Sequence, residues 1–343
     1  MKKLIIGIIL AVLVVSCDQP SQYVQISGYA QGSNYTVKMN MKGVSVPVES
    51  IRDSIDALIL QIDTTLSGYN KKSLISRFNA GKKIPSNAMF LDMYRIGYRL
   101  WERSGGALDF GAAPLYDAWG FGFRNSSFPT DEQIRALLDS CGMGHLPAEL
   151  PVVDGYIDPA AMGNPKLNYN AIAQGYSCDL IAHYLYSIGV KDMLVDIGEI
   201  WCDGVNPNGE PWSVGIDRPV DQTSDGRSLP EGLDGIWSSG AKPAGIVTSG
   251  NYRKFYIRNG RKFSHTINPR TGYPVEHNLL SATVVSSKNA AESDAIATWC
   301  MVIGLQGAQV LILGDPALEG YLIYTDASGE MKEWASPGFT LKK

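Results

Sequence analysis

Three short segments of the chain carry residues whose types and spacing could support chemistry. In the segment 290–305, Ala291, Asp294 and Thr298 lie at i, i+3 and i+7, which places them on one face of a helix. A carboxylate and a hydroxyl one turn apart can offer two oxygen ligands to a hard cation such as Mg²⁺. The same spacing fits a structural role, in which Asp294 stabilises the first helical turn and Thr298 bonds back to the helix backbone. Spacing alone favours the structural role.

The second segment, "HTINPRTGYP" (265–274), combines a histidine with two turn signals. An Asn-Pro and a Thr-Gly dipeptide stand on either side of Arg270 and predict tight turns there. His265 precedes them, and an imidazole can act as a base near neutral pH. A well-packed turn with a surface histidine is the alternative interpretation.

The third segment, "NAIAQGYSCDL" (170–180), places Gly175 near a predicted helix start. A glycine there allows close backbone approach, and the free N–H groups of a helix start suit an anion. The Gly-Lys-Ser/Thr ending of a P-loop is missing, and no Gly-x-Ser-x-Gly elbow supports a serine hydrolase.

The elements that must position these segments alternate between hairpins and helices. We predict a hairpin in 23–40 that turns at Gln31-Gly32, a helix with Ser50 as its N-cap, a polar loop over 66–79 and a surface excursion over 221–242. Further helices are expected to end at Trp101, Gly142 and Gly189, and another spans 290–305. Thr130 and Gln133 predict the capped start of the helix that ends at Gly142. Strands are expected at "DMLVDIG", "WSVGID", "GIVTSG" and "LLSATVVSS", with hairpins at Asn259-Gly260 and at "GYLIYTDASGEMKEW".

This mixture of hairpins and helices indicates an α+β fold with mixed or antiparallel sheets and packed helices. No segment has the composition of a linker, so we predict one catalytic unit over residues 23–340. The net charge of −4 argues against a nucleic-acid partner, and four histidines are too few for a His-rich metal site.

The first residues predict export. Lys2 and Lys3 precede the apolar run "LIIGIILAVLVV", which ends at Ser16-Cys17 and is short for a membrane span. "VVSC" resembles a bacterial lipobox, so residues 1–17 are interpreted as a lipoprotein signal with Cys17 as the lipidated residue and 18–22 as a tether. The protein would then be lipid-anchored to the cell membrane and face the periplasm. An ordinary cleaved signal with a chance cysteine is the alternative.

Export also permits disulfides, but the spacing of the remaining cysteines does not select a pairing or a metal site. A reduced, buried set is equally compatible with the sequence. The sequence therefore leaves the disulfide state of Cys141, Cys178, Cys202 and Cys300 open.

Taken together and in order, the motifs of the chain resemble the ApbE family of FAD:protein FMN transferases. The resemblance covers nearly all of the chain after the signal. It rests on "GSNYTV", "LSGYNKKSLISRFN", "GALDFGAAPLYDAWGFG", "NYNAIAQGYSCD", "LVDIGE", "WSVGI", "TSGNY", "SHTINPRTGYP" and "ESDAIAT".

The resemblance implies a reaction and a metal site. Family members bind FAD, use Mg²⁺ and move FMN onto a Ser or Thr hydroxyl of an acceptor protein, while AMP leaves. The side chains of Asp294 and Thr298 match the family's metal ligands, and the carbonyls of Ala173 and Ala291 match further ones. All four are hard oxygen donors, as Mg²⁺ requires.

The resemblance also assigns the remaining site residues. His265 would deprotonate the acceptor hydroxyl or steady the diphosphate, and Tyr69 would stack on a flat ring. The residues matched to flavin binding are Gln31, Tyr69, Ala107, Leu108, Asp109, Asn170, Tyr176 and His265.

Three positions depart from the family pattern. Gln174 stands where many relatives carry a lysine, and Asn268 stands where an aspartate is frequent. "DIGE" has one glycine where two are common, which would displace Glu199.

Three functions remain open on the sequence. The first is transfer of FMN to an exported acceptor, such as an FMN-binding domain of a membrane redox complex. In the second, water replaces the acceptor and the protein is an FAD pyrophosphatase that gives FMN and AMP. The third is a lipoprotein that carries FAD without catalysis.

Overall fold

The structure is a computed structural model that describes residues 22–122, 128–219, 232–252, 255–258 and 261–343. The predicted signal, Cys17 and residues 18–21 of the tether lie outside these ranges. So does the turn at Asn259-Gly260, although the strands on either side of it pair as predicted.

The centre of the fold is an eight-stranded sheet in which every neighbouring pair is antiparallel. Its strand order is β1-β2-β5-β6-β9-β14-β15-β16. These strands are β1 (Tyr23–Ala30), β2 (Ser33–Asn40), β5 (Met193–Asp196), β6 (Ile200–Asp203), β9 (Ala244–Gly250), β14 (Leu279–Ser286), β15 (Leu318–Thr325) and β16 (Met331–Ala335).

Smaller sheets and hairpins surround this sheet. A three-stranded sheet has the order β17-β8-β7, and three two-stranded pairs are β3–β4, β10–β11 and β12–β13. The bounds are β3 (Ile84–Pro85), β4 (Tyr156–Ile157), β7 (Ser213–Asp217), β8 (Leu233–Ser238), β10 (Phe255–Arg258), β11 (Arg261–Ser264), β12 (Ile267–Asn268), β13 (Tyr273–Pro274) and β17 (Leu341–Lys342).

The helices lie on one face of the central sheet and beside it. They are α1 (Val48–Leu66), α2 (Leu74–Asn79), α3 (Ala88–Arg103), α4 (Ala113–Ala118), α5 (Asp131–Leu138), α6 (Ala173–Ser187) and α7 (Ala290–Gly314). Helices α1 and α6 pack on β1, β2 and β5, while α7 packs on β9, β14 and β15. The three-stranded sheet covers the opposite face, so β14 is buried on both sides. The predicted α+β class is confirmed.

The turn of the first hairpin follows the sequence closely. Gln31 and Gly32 have positive φ angles of 52° and 86°, as a two-residue turn requires, and Ala30 pairs with Ser33. The capping box of Thr130 and Gln133 at the start of α5 is also present.

The predicted start of α1 is wrong by three residues, because the N-cap is Pro47 and not Ser50. The helix begins at Val48, and the N–H of Ile51 donates to the carbonyl of Pro47 at 3.1 Å. The rigid ring of Pro47 holds the incoming chain extended, so the first turn forms before Ser50 is reached. Ser50 therefore lies inside the first turn and does not cap it.

Two segments predicted to be irregular contain regular structure. Within the polar loop 66–79, Ser73 caps α2 by accepting from the N–H of Ser76 at 3.0 Å, and Ile75 and Phe78 are buried one turn apart. Within 221–242, residues Leu233–Ser238 form β8, while 220–231 lie outside the described residues. In both places a few buried apolar residues outweigh a polar local composition.

Helix α7 extends to Gly314, beyond the predicted end at 305. It is kinked at Gly304, whose φ of 74° is non-helical, close to the predicted end at 305. Among the described residues α7 is long and apolar enough to cross a membrane, yet half of its apolar window is buried inside the protein. A core helix meets the same criteria, and we assign α7 to the core.

The four cysteines of the described residues carry free thiols, which is the reduced alternative that the sequence left open. Cys178, Cys202 and Cys300 are fully buried. Burial raises the pKa of the Cys202 and Cys300 thiols to about 12, which makes them poor nucleophiles and metal ligands.

Candidate active site

A cavity of about 590 Å³ opens beside the buried end of α7 and collects residues from distant parts of the chain. Its wall combines side chains of α7, β9, the start of α6 and the loops before α4 and β12. Most of the predicted site residues line it, namely Tyr69, Leu108, Asp109, Asn170, His265, Asp294 and Thr298.

The wall formed by α7 contains Asp294 and Thr298 one turn apart, as their spacing predicted. The N–H of Gly175, in the first turn of α6, donates to Oδ2 of Asp294 at 3.1 Å. A Cβ on Gly175 would lie 2.4 Å from the carbonyl oxygen of Ala290, so only glycine allows the two helix starts to approach this closely. The close approach expected of Gly175 is therefore made to the backbone of α7.

Asp294 is a buried carboxylate with little compensation from the protein. Burial raises its pKa to about 7; the Gly175 hydrogen bond opposes the shift, and the nearby Asp179 carboxylate adds to it. None of the described residues donates to its second oxygen. A cation next to this oxygen would favour the ionised form.

The charge of the cavity wall also favours a bound cation. Asp109, Glu199 and Asp294 line it, and no lysine or arginine of the described residues does. An anionic diphosphate would meet repulsion here unless a cation bound with it. These three carboxylates favour a cation at the wall.

The donors present fit Mg²⁺. The described residues contain no group of three His, Cys, Asp or Glu side chains that could hold a metal. What α7 offers on this wall is the carboxylate of Asp294 and the hydroxyl of Thr298, with Ser249 Oγ at 3.5 Å from Thr298 Oγ1. Oxygen donors of this kind, few enough to leave room for substrate oxygens, are the donor set of Mg²⁺.

The segment that contains His265 is a short hairpin tied firmly to its surroundings. The carbonyl of Asn268 accepts from the N–H of Gly272 at 2.8 Å, and Trp119 Nε1 donates to the carbonyl of Gly272 at 2.7 Å. The guanidinium of Arg270 donates to the carbonyls of Ser104 and Gly105, at 2.6 and 2.9 Å. A cation at these carbonyls stabilises the end of α3.

This hairpin fixes the position of His265 on the cavity wall. The imidazole is half-buried, and its ring lies edge-on to Phe121 at 6.4 Å between centroids. It faces the same cavity as Asp294 and Thr298, although more than twenty residues separate it from them in sequence.

Some of the predicted flavin residues line the first cavity, and others do not. Tyr69 is 66% exposed at the cavity, and the side-chain amide of Asn170 donates to its hydroxyl at 3.4 Å. The Asp109 carboxylate also lines the cavity, and its Oδ1 accepts from the N–H groups of Gly111 and Met143 at 2.9 and 2.8 Å. Burial raises the pKa of Asp109, and these backbone bonds oppose the shift.

Several predicted residues are not on this wall. Ala107 is buried, and Tyr176 and Ala291 line a second cavity of about 420 Å³ behind α6 and α7. Gln31 Nε2 donates to Ser177 Oγ at 2.5 Å, and that hydroxyl donates to the carbonyl of Ala173 at 2.6 Å. Gln31 therefore contacts the Ala173 carbonyl through Ser177, and neither Gln31 nor Ala173 lines the first cavity.

Two of the three departures from the family pattern concern residues that line the first cavity. Gln174 lies on the wall and donates to the carbonyl of Ile197 at 3.0 Å, which joins the start of α6 to the turn between β5 and β6. Glu199 also reaches the wall despite the single glycine before it.

Other wall residues were not predicted as site residues. Thr248 and Ser249 come from the end of β9, Thr266 follows His265, and Phe121 and Tyr256 add aromatic surface. The sequence signal for the hydroxyls was the polar end of "GIVTSG", where a buried apolar strand changes to Thr-Ser.

Comparison with known proteins places this geometry in a family. The chain is 30% identical over 347 residues to the FAD:protein FMN transferase of Vibrio cholerae, which covers 99% of this chain and 98% of that protein. It is 29% identical to the Escherichia coli FAD:protein FMN transferase, over 96% of this chain and 94% of that protein.

Solved structures support the sequence comparison. The flavin transferase ApbE from Vibrio cholerae superposes with a TM-score of 0.74 at 29% identity and covers 93% of this chain and 98% of its own. The apo flavinyl transferase ApbE of Pseudomonas stutzeri gives a TM-score of 0.76 at 30% identity, over 92% of this chain and 95% of its own. The model of the ApbE family matches residues 31–322. The chain therefore belongs to the ApbE family.

Proposed function

We propose that this protein is a Mg²⁺-dependent FAD:protein FMN transferase that attaches FMN to a Ser or Thr hydroxyl of an acceptor protein and releases AMP. Membership of the ApbE family makes the chain a transferase, and its relatives are FAD:protein FMN transferases. The observation that carries the finer proposal is the convergence of His265, Asp294 and Thr298 on one cavity whose described wall residues include three carboxylates and no lysine or arginine.

Asp294 and Thr298 would hold the metal ion, with the Ala173 and Ala291 carbonyls as the family resemblance implies. A bound Mg²⁺ neutralises charge that develops on the diphosphate and aligns it for attack. The buried Asp294 carboxylate is suited to this task because the protein compensates its charge only weakly.

In the proposed reaction His265 acts as the base. The acceptor hydroxyl gives its proton to the imidazole while its oxygen forms a bond to the phosphorus of the FMN half. The bond from that phosphorus to the bridging oxygen breaks, and AMP leaves with this oxygen. Tyr69 and Asn170 at the cavity mouth would position the flavin, and Asp109 lines the same wall.

The replacement His265→Ala tests this role. We expect transfer to fall on the order of 10² to 10⁴-fold, because the hydroxyl loses its base, while FAD binding changes little. Equilibrium binding of FAD and single-turnover AMP release, measured on the same preparations, separate the two effects. Unchanged transfer would rule out His265 as the base.

The acceptor proposed here is an exported flavoprotein, such as an FMN-binding domain of a membrane redox complex. The supporting observation is the N-terminal sequence, in which an apolar run ends at Ser16-Cys17. We propose that Cys17 carries the lipid that anchors the catalytic unit, residues 23–340, to the cell membrane facing the periplasm. A Cys17→Ala variant expressed in a bacterium should lose the incorporation of labelled fatty acid that the wild type shows; equal incorporation in both proteins would contradict the anchor.

One assay separates the three functions left open by the sequence. The protein is incubated with FAD, Mg²⁺ and an FMN-binding acceptor domain, and AMP release and in-gel flavin fluorescence are followed. AMP with a fluorescent acceptor band supports the transferase. AMP with free FMN and a dark band supports the pyrophosphatase, and the absence of both products leaves a carrier.

A further inference from the structure

We infer that Asp179, which lies outside the FAD cavity, is a positioning residue that sets the geometry of the metal site by fixing the start of α7 to α6. The inference rests on the function proposed above, since it concerns the site at Asp294. It assigns a role to the last residue of the "NYNAIAQGYSCD" segment, which the proposed reaction itself does not use.

Asp179 bridges the two helices through the backbone. One of its carboxylate oxygens accepts from the N–H of Ala290 at 2.7 Å, and the other accepts from the N–H of Ala291 at 2.9 Å. These are the first two N–H groups of α7, which have no partner within their own helix. Asp179 thus caps α7 from the second turn of α6.

Asp294 makes the reciprocal contact. It lies in the second turn of α7 and accepts from the N–H of Gly175 in the first turn of α6. Each helix therefore supplies the carboxylate that binds the start of the other, and the absence of a side chain at Gly175 permits the approach.

This arrangement matters because the proposed metal ligands are divided between the two helices. Ala173 belongs to α6, whereas Ala291, Asp294 and Thr298 belong to α7. A small shift of one helix start against the other would change the distances among these oxygens, and Mg²⁺ tolerates little departure from octahedral geometry. Asp179 lines the second cavity and not the first. Apart from its charge, which acts on Asp294 through space, it affects the site through the residues that it holds.

A matched control exists at the same helix end. Asn289 caps α7 in the ordinary way, by accepting from the N–H of Glu292 at 2.7 Å, and makes no such contact with α6. Removing this cap weakens the start of α7 without removing the link between the helices. If Asp179 mattered only for helix stability, the two replacements would act alike.

The test compares the full-length wild type with Asp179→Asn and Asn289→Ala. Metal affinity is measured in two ways, by electron paramagnetic resonance of bound Mn²⁺ and by the Mg²⁺ concentration that gives half-maximal AMP release. Flavin fluorescence in EDTA gives the affinity for FAD without metal. The midpoint of urea unfolding in EDTA gives the stability. Asp179→Asn should weaken metal binding about 10-fold or more, as loss of a residue that orients a ligand does, with FAD affinity in EDTA unchanged. Asn289→Ala should lower the urea midpoint but leave metal affinity within roughly two-fold.

Each result decides the matter. Wild-type metal affinity in Asp179→Asn, or equal loss of metal affinity in both variants, would overturn the inference while leaving the proposed function intact. A wild type that binds no divalent cation would overturn both. If Asp179→Asn does not fold, Asp179→Glu takes its place. It keeps the charge, but its longer side chain moves the carboxylate relative to the N–H groups of Ala290 and Ala291, so it should produce the same metal-specific loss.

Discussion

Two walls of one cavity each present a partly or fully buried aspartate, and the protein treats the two carboxylates differently. Asp109, in the loop before α4, accepts two backbone N–H groups on one oxygen and thereby holds the turn at Met143 in place. Asp294, on α7, accepts a single N–H group, and burial raises its pKa to about 7. The contrast assigns a largely structural role to the first carboxylate and leaves the second available to a cation.

The largest effect should come from removing the available carboxylate. Asp294→Asn is isosteric but carries no charge, so we expect Mg²⁺-dependent AMP release to fall on the order of 10³-fold or more. FAD affinity in EDTA should change little, because no metal contributes there. Single-turnover AMP release tests the expected loss of turnover, and a fluorescence titration tests the expected FAD affinity. Near-normal turnover in Asp294→Asn would show that Asp294 does not bind the metal.

Asp109→Asn should show the opposite pattern. An amide in its place can turn an N–H group toward the donors of Gly111 and Met143, which should cost about 1–3 kcal/mol of the free energy of unfolding. Transfer at saturating FAD should remain within roughly ten-fold of wild type, because the proposed metal ligands are untouched. Urea unfolding and steady-state kinetics measure both quantities. A collapse of turnover at normal stability would show that Asp109 contacts the substrate.

The hairpin of His265 offers a smaller test of how rigidly the site is held. Arg270→Ala removes both hydrogen bonds to the end of α3, so we expect a loss of about 1 kcal/mol in stability and roughly a ten-fold loss in turnover as His265 loses its fixed position. Arg270→Lys keeps the charge but lacks the planar guanidinium that donates to both carbonyls. Its stability and turnover should lie between those of the wild type and Arg270→Ala. Equal turnover in all three proteins would mean that the contact does not position His265.

The pH dependence of stability should reflect Asp294. Its folded pKa of about 7 lies above the ordinary 3.8, so the folded state favours the protonated form. In EDTA, the preference of the folded state for protonated Asp294 adds to the free energy of unfolding. This stabilisation is fully present below pH 4 and declines by up to ~1.4 kcal/mol per pH unit as the pH rises to 7. Stabilisation by Mg²⁺ should grow over the same window, since the metal binds the ionised form. In urea-unfolding experiments between pH 4 and 8, Asp294→Asn should flatten the Mg²⁺ trend and reduce the decline in EDTA. A smaller decline should remain, because burial also raises the pKa of Asp179, to about 6.

The sequence predicted what depends on local spacing. The turn at Gln31-Gly32, the capping box of α5 and the shared face of Asp294 and Thr298 each follow from residues within one turn of each other. The family resemblance predicted which distant segments would meet, and His265, Asn170 and Asp294 do line one cavity.

What the sequence did not predict depends on the direction of side chains and on tertiary partners. Gln174 and Tyr176 are two residues apart on α6, about 200° around the helix, so only Gln174 faces the first cavity. The contact of Asp179 with the start of α7 joins residues 111 apart in the chain, which no local pattern encodes. Helix α2 forms in a polar segment because the core accepts Ile75 and Phe78.

Removal of the metal from the wild-type protein tests the central claim most directly. The protein is treated with EDTA, supplied with FAD and an acceptor domain, and followed for AMP and acceptor fluorescence before and after Mg²⁺ is added. The account predicts that FAD binds more weakly in EDTA than with Mg²⁺, that neither product forms without Mg²⁺, and that AMP and the fluorescent acceptor appear in equal amounts once Mg²⁺ is present. Continued transfer at the same rate in EDTA would contradict it.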